Sequence, residues 1–383
     1  MNETLLQVLL LIPIVGGWVY GILCTAAAPR FFRRQVQTHA PSTWPKITVL
    51  KPIHGLEKNL ETNLRSACMQ DYPDYQVVLS VQRQDDPARP ILTRLEQEFG
   101  PDRVSVVAVD SDPVVNGKVQ NLIHALTAAR HEILVISDSD VLLRPDYLKT
   151  IVAPLSDPEV GYACTLYRAC RADTWFERFE LLGINADFTA GVILAQVTGA
   201  ADFCPGSSLA LRRSTLEMIG GFESLADYLV EDYELGRRIL AKGFRMSLAS
   251  YLVDLVVDLK SPGDWWSHQL YWDQNTRAAR PIGFLGTVLT RSVPFALLFA
   301  AVRFFDFIGL LMLTATLGMR IGTTAMILKR LDDREGVRAL ALLPLRDLVG
   351  LASWAAALTK RSFVWRGLKF GLTRDGRILP RSS

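Results

Sequence analysis

From Thr4 to Pro29 the chain carries no charged side chain, a run of 26 residues dominated by Leu, Ile, Val and Ala. A bilayer core takes about 20 apolar residues as helix, so this run is long enough to span. A secretory leader would have a shorter apolar stretch and a basic front. Here Glu3 stands in front, while Arg30, Arg33 and Arg34 follow. The run therefore reads as an uncleaved anchor over 1–29, followed by a linker over 30–46. The basic residues behind the anchor place the N-terminus outside and the rest in the cytoplasm.

A second apolar region, 282–359, is interrupted. Pro281–Val302 contains Arg291, Phe304–Leu328 contains Asp306 and Arg320, and Ala339–Thr359 contains Arg346 and Asp347. A charge at a helix centre costs ~2.5–3.5 kcal/mol on insertion scales, so these are poorer spans than the first. Two of them make a hairpin turning near Arg303–Asp306, with the third either a span or an interfacial helix. The tail over 360–383, with Lys360, Arg361, Arg366, Lys369, Arg374, Arg377 and Arg381, prefers the cytoplasm and favours an even number of C-terminal crossings.

Composition agrees with a membrane-bound chain. Of 383 residues, 49% are hydrophobic and 21% charged, with mean hydropathy +0.18, too apolar for an ordinary soluble domain and too charge-balanced for a disordered one. A net charge of +3 without a basic stripe gives no reason to expect nucleic acid. Cys24, Cys68, Cys164, Cys170 and Cys204 form no C-x-x-C, which argues against a disulfide framework or a zinc site.

Between the apolar regions, strand and helix patterns alternate. Ile47–Leu50, Gln76–Val81, Val104–Val109 and Ile133–Ile136 read as short buried strands. Helical spacing links Leu56, Leu60, Leu64 and Cys68, then Ile91, Leu92, Leu95 and Phe99, then Leu122, Ile123 and Leu126. This pattern predicts an α/β domain with a mostly parallel sheet, whose ligands bind beyond the carboxyl ends of the strands. No G-x-G-x-x-G or P-loop motif is present, so dinucleotide binding and P-loop chemistry are unsupported.

Polar clusters do follow the strands. Strand four runs into Ser137-Asp138-Ser139-Asp140, and strand two into Gln82 through Pro87, with Asp86. Two carboxylates two residues apart can approach one hard divalent cation, Mg²⁺ or Mn²⁺, together with substrate phosphates. An isolated D-x-D is more simply a turn that caps the next element. Its place after the fourth strand, with Asp86 after the second, favours the cation. Glu231-Asp232 opens an amphipathic helix, where acids serve as caps or one acts as a general base. Trp265 to Trp272, with His268, precedes Arg277 and the membrane region. Its aromatics are either interfacial anchors or neighbours of a diphosphate and an amphiphilic acceptor.

Taken together, these motifs make the chain resemble the ceramide glucosyltransferase family, glycosyltransferase family 21, and most nearly its bacterial branch that includes hopanoid-biosynthesis glycosyltransferases. The likeness covers about Trp44 to Pro281. It rests on Lys51-Pro52 with Gly55, Val81-Gln82 with Asp85-Asp86-Pro87, Asn116 through Leu122, Asp138-Ser139-Asp140, Gly206-Ser207, Gly220-Gly221-Phe222 and Glu231-Asp232-Tyr233. The resemblance implies a GT-A nucleotide-sugar-binding domain over 47–281, a UDP-sugar donor, a membrane lipid acceptor and inversion at the anomeric carbon. It implies that Asp86 contacts the uridine, with Lys51, Lys118 and Asn121 also on the donor side. Asp138 and Asp140 would hold the metal and diphosphate, and Asp232 would be the base. The family's last motif, Gln or Arg, two residues, then Arg-Trp, is altered here. Trp272 is kept while His268 and Tyr271 depart, which leaves Arg277 or Arg280 to supply the charge. Ceramide with UDP-glucose and a hopanoid polyol with UDP-GlcNAc are both compatible. A processive polysaccharide synthase and an inactive membrane scaffold are the rival classes. The altered motif and modest membrane region weigh against the first, and the intact acids against the second.

Overall fold

A computed structural model describes residues 3–33, 41, 43–110, 116–203, 205–360, 362–365, 368–373 and 376–380. Arg34, much of the linker, Cys204, Arg361, Arg366, Arg374 and Arg381 lie outside the described residues. The chain forms two compact units. One comprises Arg34–Tyr167, Asp202–Asp258 and Gly371–Ser383, and the other Met1–Arg33, Arg168–Ala201 and Leu259–Phe370. The stretch 47–281, expected from the sequence as one domain, is thus shared between them. Within that stretch, residues 168–201 and 259–281 belong with the helices.

The first unit is built on an eight-stranded sheet. Its strands are β1 (Ile47–Pro52), β2 (Tyr75–Val81), β3 (Val104–Ala108), β4 (Ile133–Ser137), β5 (Val141–Leu142), β6 (Val160–Cys170), β7 (Ser208–Arg212) and β8 (Arg245–Val256), in the spatial order β3-β2-β1-β4-β7-β6-β8-β5. The four strands legible as apolar runs form its parallel half, with Ile47 opposite Tyr75 and Ile133, and Val77 opposite Val104. Every residue of β1, β2 and β4 is buried, which explains continuous apolar runs in place of alternation. Helices Leu60–Cys68, Arg89–Phe99 and Gly117–Ala128 make the connections. The first starts later than the spacing predicts, because Asn59 adopts a left-handed φ of 61° and Leu56 is left exposed ahead of it. Strand β7 pairs antiparallel with β4, Ser137 opposite Ser208. That register brings the segment after β4 beside the segment before β7.

Among the described residues of the second unit, five helices are long and apolar enough to cross a membrane: Glu3–Arg33, Trp175–Thr198, Pro281–Val302, Phe307–Arg330 and Leu340–Thr359. Glu3–Arg33 turns Ile12, Val19 and Ile22 outward and packs Leu10 and Ile14 on Ala296 and Phe299. Its glycines allow close approach, since a Cβ on Gly17 would stand 2.6 Å from that of Ser292. The charges that interrupt the later helices are paired. Arg320 bonds Asp187 at 2.8 Å and Asp347 at 2.9 Å, Arg346 also bonds Asp187, and Arg291 faces Asp273 at 3.4 Å. Internal pairing removes much of the cost of placing such groups in hydrocarbon.

The sequence reading missed Trp175–Thr198 as a fifth apolar helix. It is entered through a capping box, Thr174 with Glu177, and contains a π-helical stretch over Gly183–Thr189 that carries Asp187. Strands β6 and β7 flank it and pair with one another, Tyr162 opposite Leu211. Both its ends therefore return to the same sheet.

Candidate active site

The carboxyl end of β4 is where the chemistry gathers. Asp138 is held by its backbone, its N–H donating to the Ser207 carbonyl at 3.1 Å across the β4–β7 pair. Beneath it lies Lys51 from the end of β1, fully buried, with Nζ donating to Ser137 Oγ at 3.0 Å and to the Asp138 carbonyl at 2.7 Å. Burial lowers the Lys51 pKa to about 8, although Asp138 and Asp140 oppose the shift. Lys51 thus supports the D-x-D turn from behind.

Asn116 caps the helix Gly117–Ala128, its Oδ1 accepting from the backbone N–H groups of Lys118 and Val119. Its Nδ2 donates to the Tyr228 carbonyl at 2.9 Å and to Glu231 Oε2 at 3.2 Å. One side chain therefore ties the start of this helix to the turn before Glu231–Ala241. Lys118 extends the tie, with Nζ 2.8 Å from Asp138 Oδ1 and 3.1 Å from Glu231 Oε1. Burial works against the ammonium, yet Asp138, Glu231 and Asp232 together hold its pKa well above the usual lysine value.

Asp232 completes the group. Its Oδ1 accepts from the Tyr233 N–H at 2.8 Å. Its Oδ2 lies against Gly206, where an added Cβ would come within 1.8 Å of that oxygen. Gly206 is thus the seat of the Asp232 carboxylate, because no larger residue leaves room. Burial, and then the like charge of Glu231, push Asp232 up to about 7. A carboxyl poised near neutrality is suited to accept a proton.

Asp140 lies two residues beyond Asp138. Its Oδ1 is buried and has no hydrogen-bond partner among the described residues. Burial, then the charges of Asp138 and Glu57, raise its pKa to about 7. Asp138 is raised by burial as well, against the pull of Lys118. Two desolvated carboxyls, one with an unanswered oxygen, fit a divalent cation that takes its other ligands from phosphates. Among the described residues no cluster of three or more His, Cys, Asp or Glu forms a complete protein cage.

Two residues expected on the donor side are engaged with backbone. Asp86, 8% exposed, accepts from the N–H groups of Gly55 and Ala88, clasping the turn after β1 to the turn after β2. Asn121 donates to the Ile53 carbonyl at 2.8 Å. His268, Trp272 and Arg277 stand on the helix Pro262–Ala279 of the other unit. There His268 Nε2 accepts from Trp272 Nε1 at 3.1 Å and Nδ1 faces Glu180 at 3.0 Å. Arg277 donates to the carbonyls of Leu358 and Lys360, closing the end of the helix Leu343–Thr359. Sequence reasoning did not anticipate the Lys118 bridge or the fit of Gly206 to Asp232. The signals present were Asn116-Gly117-Lys118 opening a helix and a glycine in the Cys204–Ser208 turn, but neither names its partner.

The sequence profile of glycosyl transferase family 21 matches residues 9–378. The chain belongs to that family. Among curated relatives of this family 21 chain, ceramide glucosyltransferase 1 of Caenorhabditis elegans is 25% identical over 222 residues, 57% of this chain and 47% of the relative. An N-acetylglucosaminyltransferase of Mesorhizobium japonicum is 27% identical over 248 residues, 61% of this chain and 56% of the relative. The chain thus spans about half the length of the curated relatives it matches. Among solved structures, a mannosyltransferase of Pyrobaculum calidifontis in complex with GDP-Man and Mn²⁺ aligns over 94% of this chain and 99% of its own, with TM-score 0.55 at 20% identity. That likeness establishes a shared GT-A fold for the family 21 chain.

Proposed function

We propose that this nucleotide-sugar glycosyltransferase moves a sugar from a UDP-sugar to a lipid hydroxyl, with inversion, at the cytoplasmic face of a bacterial inner membrane. Glucose transfer to ceramide is the leading reading, supported by the relatives named ceramide glucosyltransferase. The observation that carries it is the position of Asp232. Its carboxylate rests on Gly206, next in chain to Ser207, whose carbonyl accepts from the Asp138 N–H. The Asp232 carboxylate is thereby held near the D-x-D turn, which supports reading it as the proton acceptor. Asp232 takes the proton of the attacking hydroxyl as the new glycosidic bond forms and the bond to UDP breaks.

Asp138 and Asp140 would hold a divalent cation, Mg²⁺ or Mn²⁺, which when bound supplies positive charge for the diphosphate. On the protein's side, Lys118 and Lys51 add their own charge. On this reading Asp86 and Asn121 shape the donor side through the turns they fix, and His268, Trp272 and Arg277 serve the diphosphate or the acceptor.

The bacterial relative named N-acetylglucosaminyltransferase favours a second reading, UDP-GlcNAc as donor, with a hopanoid polyol as acceptor. Purified full-length chain supplied with each donor and either ceramide or a hopanoid polyol separates them. The leading reading predicts glucosylceramide by mass spectrometry, with a β-linkage by proton NMR. An α-linked product overturns inversion. A product formed from UDP-GlcNAc and polyol alone overturns the glucose and ceramide assignment.

A further inference from the structure

We propose that Lys118 is a resident counter-ion that competes with the divalent cation for Asp138, so that cation entry releases the lysine from the D-x-D turn. This deepens the function proposed above and rests on it. Lys118 Nζ lies 2.8 Å from Asp138 Oδ1, an oxygen a cation would need, and 3.1 Å from Glu231 Oε1. The three side chains are 13% to 28% exposed, so water screens their charges only in part. An ammonium donates from one atom to two carboxylates. Here it keeps the donor-side Asp138 and the base-side Glu231 on a single charge. Asn116 fixes the other end of the arrangement, capping the helix that carries Lys118 while bonding Glu231 Oε2. The unanswered oxygen of Asp140 stands beside this pair in sequence. The acid group is therefore only partly neutralised from within.

The consequence is a coupling between the two halves of the reaction. A divalent cation on Asp138 repels the ammonium, which moves toward the incoming diphosphate or toward Glu231. Lys118 is thus a positioning residue whose place reports whether the donor side is loaded. Without a cation, the lysine restrains Asp138 and the turn that precedes Asp232 together.

The test is Mn²⁺ binding followed by electron paramagnetic resonance, on the purified full-length chain in detergent with no nucleotide sugar present. Lys118→Met should bind Mn²⁺ about tenfold more tightly than wild type, because one charge-assisted competitor is gone. Lys118→Arg keeps the charge and should bind as wild type does. Asp138→Asn added to Lys118→Met should abolish the gain. Unchanged or weaker binding by Lys118→Met overturns the proposal, as does tightening that survives Asp138→Asn. The metal is read without donor or acceptor, so the two claims separate. Failure of Lys118→Met to tighten, where the wild type transfers sugar, overturns the lysine's role and leaves the function standing. Tightening in Lys118→Met, where the wild type transfers no sugar from any nucleotide donor, sustains the lysine's role and overturns the function.

Discussion

At the scale of residues, the site depends on which carboxyl carries a proton near pH 7. Asp232 is pushed up to about 7, first by burial and second by the Glu231 charge. Only its deprotonated form accepts a proton, so kcat/KM should fall as pH drops through that value. Removing a like charge lowers a carboxyl pKa. Glu231→Gln should therefore move the acid limb of the kcat/KM profile to lower pH. A limb that stays in place or moves up would contradict the origin assigned to the shift. These residues were partly legible in the sequence. Asp138, Asp140 and Asp232 announced themselves by residue type and by position after a strand or at a helix start. Gly206 did not, because a glycine in a turn looks the same whether or not a carboxylate rests on it.

At the scale of elements, apolar runs located β1, β2 and β4 because those strands are buried on both faces, and β3 because Val104, Val106 and Val107 keep its run apolar although only Val104 is fully buried. Strand β8 mixes buried, half-buried and exposed positions, which blurs the periodicity used to find strands, while β6 is buried along most of its length but breaks its apolar run with Thr165 and Arg168. Trp175–Thr198 was hidden for an electrostatic reason. Glu177, Arg178, Glu180 and Asp187 break its apolar pattern, and the partners that answer Asp187, namely Arg320 and Arg346, come more than a hundred residues later. Asp187→Ala would leave two arginines with Asp347 as their remaining acid. Breaking such a buried network typically costs roughly 3–5 kcal/mol. The detergent-solubilised variant should therefore melt well below wild type, and an unchanged melting temperature would show the pairs to be dispensable.

At the scale of the whole molecule, the sheet constrains how the chain can meet a bilayer. Strands before and after Trp175–Thr198 pair with each other, and a sheet lies on one side of a membrane. For a chain bound to a bilayer, a single crossing by that helix is therefore not expected. The tail gives a second constraint, with Leu229 N–H donating to the Gly376 carbonyl and Ile378 N–H to that of Asp227. Residues 376–378 thus end beside the turn that leads into Glu231–Ala241, so the account predicts an even number of crossings between 259 and 370. Cysteines introduced as Ser156→Cys, Ser214→Cys and Leu379→Cys, all at exposed positions, should react with an impermeant reagent from one and the same side. Labelling of any one from the opposite side would refute this topology. The basic tail leads the sequence to expect the same parity, but the pairing of the strands on either side of Trp175–Thr198 is something no local pattern contains.

The central claim is that Asp232 is the base of a sugar transfer, and its most direct test is the turnover of Asp232→Asn beside Glu231→Gln in purified enzyme. The account predicts that Asp232→Asn, which keeps the shape and removes the proton acceptor, lowers kcat by roughly 10²–10⁴ with donor affinity little changed, while Glu231→Gln loses less. A Glu231→Gln enzyme that loses the rate while Asp232→Asn retains it would contradict the account.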